Sequence, residues 1–197
     1  MSCPHASKNE EYKSPISTLG DSELPSNRQT SSIPKSNDSF WLYPSQRQFQ
    51  SSLQRKGWKT DDKDIEMLVD IHNFLNEGVW QQICKWEKLA AKSNKVIPSS
   101  NPQGPILKRF EGRPSEPTWK ARILSAFKIT NPPFDRHDWY VQRGEKEIKY
   151  VIDYYSAPSS EPDSATFHVD VRPAVNSFSS LGHRIKALFL WKKQSEN

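Results

Sequence analysis

Residues 147–155 read Glu-Ile-Lys-Tyr-Val-Ile-Asp-Tyr-Tyr, and Ile148, Tyr150, Ile152 and Tyr154 recur at every second position. Successive side chains of an extended backbone point to opposite faces, so this alternation specifies a half-buried strand. Such a strand needs hydrogen-bonded neighbours and a cover for its apolar face. Trp139-Tyr-Val-Gln-Arg143 precedes it across Gly144-Glu-Lys146, a turn signal, and Phe167, Val169 and Val171 alternate again after a polar loop at 156–164. Three strands in sequence order predict a small antiparallel meander with helices against one face, an α+β domain.

The helices come earlier. Ser45 with Gln48 three residues on forms a capping box, and a helix is expected through about Lys56, with Phe49 and Leu53 on one side and Gly57 as its stop. Thr60-Asp-Asp caps a second helix, and Asn76-Glu77-Gly78 is expected to end or bend it. Val79, Ile83, Trp86 and Ala90 then stand at helical offsets and predict a third helix to about Lys92. Five prolines (98, 102, 105, 114 and 117) break residues 93–118, which predicts an irregular wrap anchored by Ile106, Leu107 and Phe110. Trp119–Phe127 reads as a short helix.

One residue of the second helix stands out. Ile65, Leu68 and Leu75 make an apolar stripe, and His72 lies seven residues after the first, four after the second and three before the third. An imidazole on such a face either is satisfied in the core by a neighbour or binds something.

Composition bounds the rest. The 197 residues are 34% hydrophobic, include 15 prolines and have a mean hydropathy of −0.83, which suits one domain plus a disordered portion. Residues 1–39 are polar and carry five acids against four bases. They are expected to be disordered and dispensable for chemistry, with the domain spanning 40–197. No stretch approaches the ~20 apolar residues of a membrane span, and a terminus this acidic is not a presequence. Any organelle address is therefore expected to be internal or absent. Cys3 and Cys84 supply neither a disulfide framework nor a four-ligand zinc site. No phosphate loop, nucleophile elbow or zinc-protease motif occurs. The chain also lacks Cys-x-x-Cys-His and so is not itself a c-type cytochrome.

From Pro173 to Lys193 a helix is expected, with Val175, Phe178, Leu181, Ile185, Leu188 and Phe189 in a stripe flanked by Arg172, Arg184, Lys186, Lys192 and Lys193. This C-terminal amphipathic helix suits either an anionic lipid surface or the sheet, with its basic face in solvent. No groove-reading motif supports nucleic-acid binding.

Several blocks carry a resemblance. Trp41-Leu-Tyr-Pro-Ser45, Ile71-His-Asn-Phe-Leu-Asn-Glu77 with Trp80 and Lys85-Trp-Glu87, Pro133-Phe-Asp-Arg-His-Asp-Trp139, Tyr150-Val-Ile-Asp-Tyr-Tyr155 and Asp170-Val-Arg-Pro173 resemble successive blocks of the cytochrome c-type heme lyases, or holocytochrome c synthases. Cys3-Pro4 resembles the heme-regulatory dipeptide found near that family's N-terminus. The resemblance runs from about residue 40 to 191. It implies covalent attachment of heme b to the Cys-x-x-Cys-His cysteines of an apocytochrome c-type protein, with His72 as axial iron ligand.

It further implies that Glu77 touches substrate or braces its helix, and that Asn73 orients the turn. Arg136 and Arg143 are candidates to pair with heme propionates or to be surface charges, and His137 to be a second pocket group, an acid catalyst or a hydrogen-bonded structural histidine. Trp41, Tyr43 and Trp139 are candidates to line the porphyrin. The implied location is peripheral, on the intermembrane-space side of the mitochondrial inner membrane. A non-catalytic heme carrier or sensor is the alternative.

Overall fold

The computed structural model describes residues 24–55, 57–94, 104–113, 116–127, 131–157 and 166–174. The expected C-terminal helix and Cys3-Pro4 lie outside them.

Two alternating segments pair as expected. β4 (Asp135–Arg143) and β5 (Lys146–Ala157) form a hairpin in unbroken antiparallel register from Asp135↔Tyr154 to Arg143↔Lys146. The turn uses Gly144 at φ 58°, a backbone region that suits glycine. β6 (Thr166–Pro173) adds on the far side of β5, placing Val171 beside Ile152. The helical cover and the α+β class also agree with the sequence.

Ile106–Gly112, expected to be an irregular wrap, is β3 and pairs with β4, so the sheet order is β3-β4-β5-β6. Its register shifts between Leu107 and Arg109. That bulge places Leu107 opposite Val141 and Phe110 opposite Trp139, so side chains three apart serve the same face. A two-residue alternation is thereby lost from the sequence.

One helix replaces two. After α1 (Gln46–Arg55), α2 runs without interruption from Asp62 to Asn94, 33 residues or about 50 Å, straight through Asn76-Glu77-Gly78. Glycine within a helix costs about 1 kcal/mol, whereas the residues beyond it, Val79, Trp80, Ile83, Trp86 and Leu89, are all buried against the sheet. Burying each such side chain is worth about 1.5–3 kcal/mol, so packing overrides the local signal. Trp86 Nε1 also donates to the Val171 carbonyl at 2.8 Å, fastening α2 to β6.

α1 follows its sequence signals closely. Gln48 N–H donates to Ser45 Oγ at 3.2 Å, and Ser45 N–H to Gln48 Oε1 at 3.1 Å, completing the capping box. At the other end Gly57 has φ 77°. Its N–H reaches Gln54 O and that of Trp58 reaches Leu53 O, the two bonds of a glycine-terminated helix. Phe49 and Leu53 join Ile65 and Val69 in a small core between α1 and α2.

Order also begins earlier than composition suggests. Within 1–39, Thr30–Pro34 is β1, antiparallel to β2 (Phe40–Leu42). Ile33 is 3% exposed and belongs to the main core. A single apolar side chain, tied down by a two-stranded pairing, is invisible to average hydropathy.

The sheet's two faces differ sharply. The inner one carries Trp139, Val141, Tyr150, Ile152 and Tyr154 against α2. The outer one is charged. Asp138, fully buried, meets Arg113 at 3.2 Å, Arg136 at 3.0 Å and Lys149 at 2.5 Å. α3 (Trp119–Ala126) lies on this face, its cap Thr118 accepting from Ala121 N–H and donating to Asp153.

Candidate functional site

A cavity of about 230 Å³ opens where β2, α1, α2 and the β3/β4 end of the sheet meet, walled mainly by Trp41, Tyr43, Phe110 and Trp139, with His72 and His137 set among them.

His72 sits on α2 where the helix passes α1. Its ring lies edge-on to Phe49, with centroids 5.5 Å apart, and to Tyr43 at 6.0 Å. Nδ1 is 3.0 Å from Asn73 Oδ1. Asn73 donates its amide to Gln29 Oε1 at 2.9 Å, so its oxygen is left to accept from His72. That arrangement places the proton on Nδ1 and leaves Nε2 with a free lone pair. Burial lowers the pKa of His72, the bond to Asn73 opposes this, and the nearby His137 lowers it further. The side chain is a neutral imidazole with one nitrogen free to ligate.

His137 and Trp139 form the floor. Both are on the inner side of β4, 3% and 2% exposed. Neither His137 Nε2 nor Trp139 Nε1 has a hydrogen-bond partner among the described residues. Asp135 Oδ2 lies 3.3 Å from His137 Nε2, an ion pair only if the ring is protonated. A buried polar group left unpaired costs roughly 1–3 kcal/mol. Both residues line the cavity, although unpartnered buried atoms are not confined to it, since Asp153 Oδ1 and Tyr155 Oη lack partners as well.

The family comparison joins this geometry. The family model for cytochrome c/c1 heme lyase matches residues 11–188. The chain belongs to the cytochrome c/c1 heme lyase family. It is 42% identical over 172 residues to a putative holocytochrome-c synthase of Schizosaccharomyces pombe, covering 83% of this chain and 43% of that protein. Against the holocytochrome-c synthase of Saccharomyces cerevisiae it is 39% identical over 187 residues, with shares of 83% and 67%. A putative holocytochrome-c1 synthase of Schizosaccharomyces pombe is 39% identical over 160 residues, with shares of 78% and 70%. The chain thus spans less than half of the first relative and about two thirds of the other two. No solved structure matches.

For a heme lyase, the donor set is telling. Among the described residues no cluster of three or more His, Cys, Asp or Glu could hold a metal ion directly. His72, a neutral imidazole amid aromatic rings, is chemically a single nitrogen donor.

The other sequence candidates divide. Trp41, Tyr43, His72, His137 and Trp139 all line the cavity, and Asn73 acts on it through His72. Glu77 does not line it. Its carboxylate accepts from Ser32 N–H at 2.9 Å, from Ser32 Oγ and from Tyr43 Oη at 2.9 Å, tying β1 and the Tyr43 segment to α2. Burial raises the Glu77 pKa, but these hydrogen bonds outweigh it and hold the carboxyl below its usual value. Of the two expected roles, bracing is the one these contacts describe.

Arg136 and Arg143 stand elsewhere. Arg136 points to the outer face, bonded to Asp138 and the Glu116 carbonyl. Arg143 donates to Glu87 through Nε and Nη2, and Tyr150 Oη donates to the same carboxylate. Neither reaches the cavity, because each is committed to a carboxylate on another part of the scaffold. Cys84 is half-buried, and burial raises its thiol pKa, which suits the inert role expected of it.

Sequence reading missed Arg28, Gln48, Ser52 and Arg55, which line the cavity too. The last three stand at offsets of four and seven on α1, a polar stripe legible from the sequence. Arg28 was hidden in the segment taken for disordered.

Proposed function

We propose that this heme lyase family member joins heme b to an apocytochrome c-type protein, using His72 as the axial iron ligand. The single observation that carries the reading is the neutral imidazole of His72 at an aromatic cavity, its Nδ1 proton engaged by Asn73 and its Nε2 free. Supporting it are relatives named as synthases for both cytochrome c and cytochrome c1.

The chemistry is a redox-neutral addition. A cysteine sulfur of the Cys-x-x-Cys-His segment bonds to the inner carbon of a heme vinyl group, and a proton goes to the terminal carbon. The substrate's own histidine takes the face of the iron opposite His72, which sets both sulfurs beside the vinyls. Positioning converts a bimolecular addition into an effectively intramolecular one. His137, with Nε2 unengaged, is the pocket group placed to relay the proton. Trp41, Tyr43 and Trp139 flank the ring. Nothing among the described residues favours the alternative of a carrier over a synthase.

The working location is peripheral, on the intermembrane-space side of the mitochondrial inner membrane, with Arg184, Lys186, Lys192 and Lys193 against anionic lipid, Arg172 being buried in ion pairs with Asp153 and Asp170. Among the described residues no helix is long and apolar enough to cross a membrane. Co-expression of the full chain with apocytochrome c or apocytochrome c1, followed by heme staining of denaturing gels, tests the activity and separates the two substrates. Heme-stained product with at least one is expected. Absence of product with both, while the chain still binds heme, would overturn the synthase reading.

A further inference from the structure

We infer that Arg28 and Arg55 form the anion-binding end of this cavity and hold the propionate carboxylates of the tetrapyrrole. The inference rests on the heme reading above and extends it to the ring's orientation.

Most arginines of the described sheet are paired with acids. Arg109 meets Glu111 and Glu147, Arg113 meets Glu111 and Glu116, Arg143 meets Glu87, and Arg172 meets Asp153 and Asp170. The cavity arginines differ. Arg28 donates Nε to Tyr43 O and Nη2 to Leu42 O, each at 2.8 Å. Carbonyl oxygens orient a guanidinium without cancelling its charge, and Nη1 has no partner among the described residues. Arg55 is exposed at the end of α1 and has no carboxylate within 4.0 Å among the described residues. Among the described residues no Asp or Glu lines the cavity.

Position sets the orientation. Gln48, Ser52 and Arg55 bring one face of α1 to the cavity, and exposed Arg55 marks its mouth. His137 and Trp139, by contrast, are buried members of the same lining. A ligand with charged carboxylates at one edge and an apolar remainder matches that gradient. Its carboxylates stay near water, where desolvation is cheap, and meet guanidinium groups shaped for bidentate contact. The apolar edge then goes toward His137.

The test compares hemin with hemin dimethyl ester, whose propionates are neutral, by Soret titration of the full-length chain. Wild type should bind hemin on the order of tenfold more tightly than the ester. Arg55→Leu should remove most of that preference while leaving ester affinity and thermal unfolding unchanged, and Arg55→Lys should restore part of it. Equal wild-type affinity for the two porphyrins, or an equal loss for both in Arg55→Leu, would overturn the arginine assignment. The heme reading has its own control. If both porphyrins bind and both Soret shifts vanish in His72→Ala, ligation stands even where the ester preference fails. If wild type binds neither porphyrin, both proposals fall.

Discussion

Arg136 and His137 are consecutive residues of one strand, and they meet opposite conditions. Arg136 faces the outer side of the sheet, where Asp138 is surrounded by Arg113, Arg136 and Lys149 and every charge has a partner. His137 faces the inner side, where its Nε2 and the Trp139 Nε1 have no hydrogen-bond partner among the described residues. The outer ion pairs form within the described fold, and the Thr118–Asp153 bond ties α3 to the sheet, although Asp153 Oδ1 and Tyr155 Oη on that face also lack hydrogen-bond partners. The inner face differs in that its unpartnered His137 and Trp139 line a cavity, where a ligand can reach them. Charge density alone would point to the outer face, whereas the cavity lies on the inner one.

The sharpest way to break this comparison is His72→Ala. Thioether product should fall at least a hundredfold and co-purifying heme should drop sharply, because the iron bond is lost, while thermal unfolding stays near wild type. Product at wild-type yield would remove His72 from the chemistry. Next in size is Asp138→Leu, which leaves three cations around an apolar group. It should destabilise the fold by about 3–5 kcal/mol in denaturant unfolding, yet heme affinity per folded molecule should not change. A selective loss of heme affinity would mean the outer face belongs to the site.

A smaller effect tests the segment before Phe40. Ile33→Ala removes a core side chain from β1 and should cost about 2–4 kcal/mol, and a chain starting at Phe40 should lose the Ser32–Glu77 brace as well. Unchanged stability in both would return residues 30–34 to the status composition suggested.

The smallest effect concerns pH. Burial lowers the folded-state pKa of His72, so near pH 6 the unfolded chain binds the extra proton more readily than the folded one. The stability from neutral His72 is therefore complete above about 6.5, the ordinary value for histidine. It is lost as pH falls through 6.5 toward the folded pKa. Wild type and His72→Gln, unfolded in denaturant between pH 7.5 and 5, should differ by that slope. Parallel curves would show that His72 is solvated.

Much of the site was legible because its signals are local. His72 on the apolar stripe, the Ser45–Gln48 box, and the alternation of β4 and β5 depend on neighbours a few residues away. The failures share one cause. Asn76-Glu77-Gly78 reads as a helix end, yet Val79, Trp80 and Ile83 pack on a sheet that comes some sixty residues later. Leu107 and Phe110 share a face through a bulge that only pairing with β4 reveals.

By itself, then, the sequence carried the family resemblance in its motif blocks, and in its spacing the α1 caps, the hairpin and the place of His72 on an apolar face. Only the tertiary structure decided which arginines are spent on ion pairs and which remain for a ligand. Arg136 lies beside His137 in sequence but across the sheet from it, while Arg28 and Arg55, far apart in the chain, line one cavity. The physical reason is that adjacent side chains of a strand point in opposite directions, and whether a charge is satisfied depends on partners that only folding brings within reach.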